Sequence, residues 1–184
     1  MALDKTFSIG EVLSAGDVNG HLLGLWIPID KRVISSGSPV AAASFTGIDS
    51  AFRLFRLTYN AISNDNGLRL RFNNDSGTNY WRHISQTTAG GTTGFSFTSE
   101  TYVDLNSSIN AYNTGNVLIG KFASGGAATV VAQTVHWHPG GSSLTHTDIG
   151  SRWNNTSALI NRIDFLVTSG TFYGVVALEG MRGS

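Results

Sequence analysis

Hydrophobic and polar positions alternate with a period of two over most of this 184-residue chain. The clearest run is Leu68-Arg69-Leu70-Arg71-Phe72. Leu68, Leu70 and Phe72 fall on one face and both arginines on the other, the pattern of a half-buried strand. Similar runs cover 25–34, 52–62, 80–86, 116–122, 129–138, 159–168 and 172–179. Between them stand Ser63-Asn64-Asp65-Asn66-Gly67, Asn73-Asn74-Asp75-Ser76-Gly77, Ser124-Gly125-Gly126 and Ser169-Gly170, rich in residues that tolerate positive φ. Roughly eight to ten short strands with no helices between them predict an all-β, antiparallel β-sandwich or jelly roll. That domain is expected over residues 25–184.

Residues 1–24 follow a different pattern. Ser14 can cap a helix, Asp17 three positions on can answer it, and Leu13 and Val18 are spaced as a hydrophobic staple. About two or three turns are predicted, weakened by Gly16 and Gly20. So short a helix is unstable alone in water. Its apolar residues Phe7, Ile9, Val12, Leu13, Val18, Leu22 and Leu23 therefore need a surface to cover, either the sandwich or a partner. This stretch is expected to be an N-terminal anchoring arm.

Composition adds limits to that picture. Apolar residues make up 41% of the chain and charged residues 13%, well below the roughly one quarter usual in globular domains. The surface must then be polar through Ser, Thr, Asn and Gly, which suit turns and outward strand faces. Twelve basic residues balance twelve acidic ones. No bulk field draws nucleic acid or anionic lipid, and neither is expected as a partner. With no cysteine, disulfides, thiolate zinc sites and cysteine nucleophiles are excluded. The opening lacks the basic-then-apolar run of a signal peptide, and no segment approaches about 18 unbroken apolar residues, so a soluble chain without membrane insertion is expected.

Candidate chemistry is sparse. His136 and His138 lie on one side of a strand and would chelate a metal only if His146 folded back towards them. The simpler expectation is that Val131, Val135 and Trp137 face the core and the histidines face solvent, so no metal and no cofactor are assigned. The two Asn/Asp/Gly clusters lack the bidentate acid of an EF-hand loop and read as turns. Asn74-Asp75-Ser76, Asn106-Ser107-Ser108 and Asn154-Asn155-Thr156 match the glycosylation pattern and also read as surface turns. Arg53, Arg56, Arg69, Arg71 and Arg82 stand near Tyr59, Phe72, Tyr80 and Trp81. They are expected to pair with carboxylates or pack over aromatic rings. No nucleophile elbow, zinc-protease motif, P-loop or dinucleotide fingerprint is present, so no enzymatic activity is expected. Trp81, Trp137 and Trp153 are the candidates for ligand or receptor contact wherever their rings reach the surface.

The opening run Phe7-Ser8-Ile9-Gly10-Glu11-Val12-Leu13-Ser14-Ala15-Gly16-Asp17-Val18-Asn19-Gly20-His21-Leu22 resembles a segment that begins many minor tail and tail-fibre proteins of tailed bacteriophages. Residues 67–80 are similar in style to a strand and turn of β-sandwich domains in phage virion proteins. The resemblance implies a virion structural protein, assembled in the host cytoplasm and attached through its arm to other tail or capsid proteins. A homo-oligomer is implied, most naturally a trimer, with a host surface glycan as a second contact. A capsid decoration or head-fibre protein and a free-standing carbohydrate-binding module are the alternatives. The chain lacks the coiled coil, collagen-like run or long β-helix of a reaching fibre, so a compact knob is expected.

Overall fold

The computed structural model describes residues 25–64, 67–106, 111–121, 126–137 and 144–183. The predicted helix and all seven apolar residues of the arm lie outside the described residues, as does His138. Among the described residues twelve strands form: β1 (Ile27–Ile34), β2 (Ala42–Thr46), β3 (Phe52–Ser63), β4 (Leu68–Phe72), β5 (Tyr80–Thr88), β6 (Gly91–Glu100), β7 (Val103–Asp104), β8 (Tyr112–Gly120), β9 (Ala128–Trp137), β10 (Leu144–Trp153), β11 (Arg162–Val167) and β12 (Phe172–Arg182). The described body is all-β, and among the described residues no helix is long and apolar enough to cross a membrane.

The strands make two sheets packed as a sandwich, with every pairing antiparallel. The large sheet has the order β1-β12-β3-β8-β9-β10-β5-β6 and the small one β2-β11-β4-β7. The period-two pattern explains the core directly. Phe55, Leu57, Tyr59 and Ala61 of β3 and Val117 and Ile119 of β8 are buried on the inner face of the large sheet. Leu68, Leu70 and Phe72 of β4 face them from the small sheet, as the alternation predicts.

Two aromatic groups tie the layers together. Phe165 of β11 meets Phe172 of β12 edge-on at 5.1 Å and Tyr59 of β3 at 5.0 Å. The Tyr59 ring fits because β8 has Gly115 beneath it, where an added Cβ would stand 2.6 Å from the ring. At the other end Trp153, Phe72 and Tyr80 pack at 5.6–6.5 Å. The Tyr80 hydroxyl accepts a hydrogen bond from the Phe72 amide at 2.9 Å. The turn after β4 uses the positive φ foreseen for its cluster, 51° at Asn73 and 56° at Asn74. The Asn73 side chain then fixes the approach to β11, donating to the Leu159 carbonyl and accepting from the Asn161 and Arg162 amides.

Four strands escape the sequence pattern: β2, β6, β7 and β10. The expected facing of β9 is also reversed. Val130, Ala132, Thr134 and His136 point inward, whereas Val131 is 59% and Trp137 44% exposed. Both faces of β9 carry apolar side chains, so alternation alone does not orient it. The inner face accepts Thr134 because its hydroxyl donates to the Leu105 carbonyl at 2.9 Å.

Candidate functional site: the outer face and wing of the large sheet

The strand registers assemble the outer face of the large sheet row by row. One row aligns Tyr173, Ile62, Tyr112, Trp137 and Leu144 across five strands. Tyr112 and Trp137 stack at 5.5 Å, and Leu144 is 59% exposed beside them. Partners directly opposite on one face stand close enough for such side chains to touch, so this row is an apolar ridge at one end of the sheet.

The opposite end is built differently. Trp81 of β5 pairs in register with Arg152 of β10, whose guanidinium lies 4.2 Å from the indole centroid. One row inward, Gly150 stands between Val131 and His83 and leaves a shallow depression between their side chains. His83 Nδ1 meets the Ser96 hydroxyl at 2.9 Å on its far wall. Trp81 is 45% exposed there. Eight residues of strand and two inter-strand spacings separate Trp81 from Trp137, about 28 Å, so the two indoles do not form one platform. Trp153, by contrast, is fully buried in the core and has no surface to offer a ligand.

The large sheet is wider than the small one, and β5 and β6 extend past the β7 edge as a wing. Ile84, Phe95, Phe97 and Leu105 line an open cleft of about 240 Å³ on the inner side of the wing. Its floor is an arginine–carboxylate network. Arg69 Nε donates to Asp104 Oδ1 at 2.7 Å, and Arg82 pairs with Asp104 Oδ2 and lies 3.8 Å from Glu100. Tyr102 covers Arg69 at 3.7 Å, and Phe97 covers Arg82 at 4.3 Å. Arg56 likewise pairs with Glu179 at 2.6 Å and lies 4.7 Å from the Trp26 ring. Pairing and aromatic cover, the expected use of these arginines, thus account for Arg56, Arg69 and Arg82. Arg53 instead donates to backbone carbonyls, and Arg71 Nε is buried without a hydrogen-bond partner among the described residues.

Of the candidate histidines, the two that are described, His136 and His146, do not converge. His136 is buried on the inner face, and His146, paired in register with outward Val135, lies on the outer face 3.6 Å from Asp148. Among the described residues no group of three or more His, Asp or Glu side chains is placed to hold a metal. Burial pushes the His136 imidazole below its usual value. Neighbouring polar groups at that end of the core, Asn106 and Asn113, bond to each other and to backbone. Comparison with protein-family models, curated proteins and solved structures finds no match to this chain.

Proposed function

We propose that this chain is a structural subunit of a tailed bacteriophage virion, a compact minor tail or tail-fibre type protein attached to the particle through residues 1–24. The observation that carries the reading is the run from Phe7 to Leu22 joined to a sandwich body. The strand order supports it further. The small sheet β2-β11-β4-β7 has the order of one sheet of a jelly roll, and β3, β5 and β6 take three places in the other. The fourth place, between β3 and β5, holds the meander β8-β9-β10. An odd number of antiparallel strands enters and leaves like one strand, so the jelly-roll connections between the sheets are preserved. Jelly rolls are a recurrent fold of viral capsid and lectin domains.

On this reading the arm docks on other tail or capsid proteins, and the body is displayed as a homo-oligomer on a particle assembled in the host cytoplasm. Particles purified from cells expressing the chain with its neighbouring genes should contain it, detected by mass spectrometry and located by a gold-labelled antibody. Label at the tail is expected. Label over the head would favour the decoration alternative, and absence from the particle would overturn the proposal.

The Trp81–Arg152 corner favours a second role in glycan contact, since an exposed indole beside hydroxyl and imidazole groups can stack a sugar ring and hydrogen-bond its edges. A glycan array read with the chain and with Trp81→Ala tests it. Binding lost in the variant supports the role, and equal signals reject it.

A further inference from the structure

The two edges of the large sheet are built in opposite ways. β1 carries Pro28, Asp30, Lys31 and Arg32 and a break in register between Pro28 and Asp30, all of which hinder the addition of another strand. The small sheet ends in β2 and β7, only five and two residues long. β6 is ten residues long, and Gly91 to Thr98 contains no charge and no proline. Phe95 and Phe97 on it are 43% and 36% exposed and stack at 6.4 Å.

The hairpin fixes where the backbone groups of β6 left unpaired by the described strands point. Ala89 and Gly90 form a two-residue turn between Thr88 and Gly91, which are register partners. Such a turn closes on a hydrogen-bonded pair, after which bonded and non-bonded pairs alternate. Thr93, Phe95 and Phe97 therefore aim their N–H and C=O groups at β5. Thr92, Gly94, Ser96 and Thr98 aim theirs outward.

We infer that β6 is a self-association edge, pairing antiparallel with β6 of a second copy of this chain about a twofold axis at Ser96. The segment Gly94-Phe95-Ser96-Phe97-Thr98 reads nearly alike in both directions about Ser96, which is what an isologous contact needs. Ser96 then lies opposite Ser96 of the partner subunit, and Gly94 opposite Thr98 of the partner subunit. These are the residues with outward backbone groups, so they form the bonded pairs. Phe95 falls opposite Phe97 of the partner subunit in the closer, non-bonded pairing, about 4.5 Å between Cα atoms. Four phenyl rings then cover the open side of the wing.

Charge and area agree with this occupant. No like charges meet in the ladder, and the bulge at Ser99, with φ 63°, ends it before Glu100. A five-residue ladder with four rings covers on the order of 800 Å² in total, below the roughly 1,200–2,000 Å² of stable complexes. The pairing is accordingly a reversible, concentration-dependent dimer. It does not rest on the virion reading.

Sedimentation velocity of the full chain from micromolar to hundreds of micromolar tests this. The mass should rise from 19.6 kDa to twice that value. Ser96→Pro removes an outward N–H and the exposed side-chain bond to His83 but leaves the backbone bonds to β5 in place, and should hold the chain at monomer mass with an unchanged β spectrum. The chain has no cysteine, so Ser96→Cys should link two copies under mild oxidation, because paired Cα atoms about 5.5 Å apart suit a disulfide. Thr92→Cys should stay unlinked, its two copies lying about 27 Å apart. A monomer at every concentration, a mass unaffected by Ser96→Pro, or linkage through Thr92→Cys as ready as through Ser96→Cys would overturn the inference.

Discussion

The indole Nε1 of Trp153 donates a 2.7 Å hydrogen bond to Oδ2 of Asp75, joining the end of β10 to the turn after β4. The same carboxylate accepts from the Gly77 amide at 2.9 Å and the Asn79 side chain at 3.0 Å. Burial pushes the Asp75 carboxyl upward, but the bonds from Trp153, Gly77 and Asn79 and the nearby Arg71 charge outweigh it and hold its pKa below the usual value. The folded state therefore gains stability above the unfolded carboxylate value of about 3.9 and loses it as pH falls through that value towards the lower folded one. Asp75→Ala should cost about 1–3 kcal/mol by stranding a buried indole N–H. Urea midpoints measured from pH 6 down to pH 2.5 should fall less steeply below about pH 4 in the variant than in the natural chain.

Asp104 holds two guanidiniums, Arg69 on one oxygen and Arg82 on the other, with the side chain of Arg82 only 8% exposed. Asp104→Ala leaves the Arg82 charge buried beside Phe97 with the more distant Glu100 as its counter-ion among the described residues. A loss of about 3–5 kcal/mol is expected, the range for breaking a buried pair from one side. Chemical denaturation can check it. A change within about 0.5 kcal/mol would mean that the network is solvated like a surface pair.

Strands were legible where one face is apolar and the other polar, as in β4 with Leu68, Leu70 and Phe72 set against Arg69 and Arg71. β6 was not legible because Gly91, Thr92, Thr93 and Gly94 offer no large apolar side chain to set up an alternation, leaving only Phe95 and Phe97 to mark a face. β10 was hidden because its inner face carries Thr145 and Thr147 among its apolar residues. That omission also hid the outer corner. Trp81 could be picked out as an aromatic candidate, but its partner Arg152 and the gap over Gly150 exist only once β10 lies beside β5. Side-chain size misled at β9, where the bulky Trp137 belongs to the outer ridge with Tyr112. The smaller Ala132 and Thr134 belong to the core.

His136 is buried, and its Nδ1 has no hydrogen-bond partner among the described residues. Burial lowers its pKa, so the unfolded chain takes up a proton at a higher pH than the folded one does. Stability from this site is fully present above the unfolded value of about 6.5 and falls as pH drops through it towards the folded value. His136→Leu keeps the volume apolar and cannot charge. Thermal melts between about pH 7.5 and 5 should show a declining Tm in the natural chain and a flatter profile in the variant. Equal slopes would place the titration elsewhere.

The core offers a last test of how the chain is divided. Among the described residues its buried apolar cluster runs from Ala43 to Leu178 and draws on both sheets, with Phe165, Phe172 and Tyr59 bridging them. Every strand of that cluster is paired on at least one side by a partner within 27–182. Residues 1–24 are expected, from their sequence alone, to form a capped local unit whose apolar face needs an external surface. A chain beginning at residue 25 should therefore keep its β circular-dichroism spectrum and melt cooperatively, with a loss of at most about 1–3 kcal/mol if a few arm side chains rest on the body. It should fail to enter particles. Unfolding of the truncated chain would assign the arm to the core, and normal incorporation would move the anchor into the sandwich.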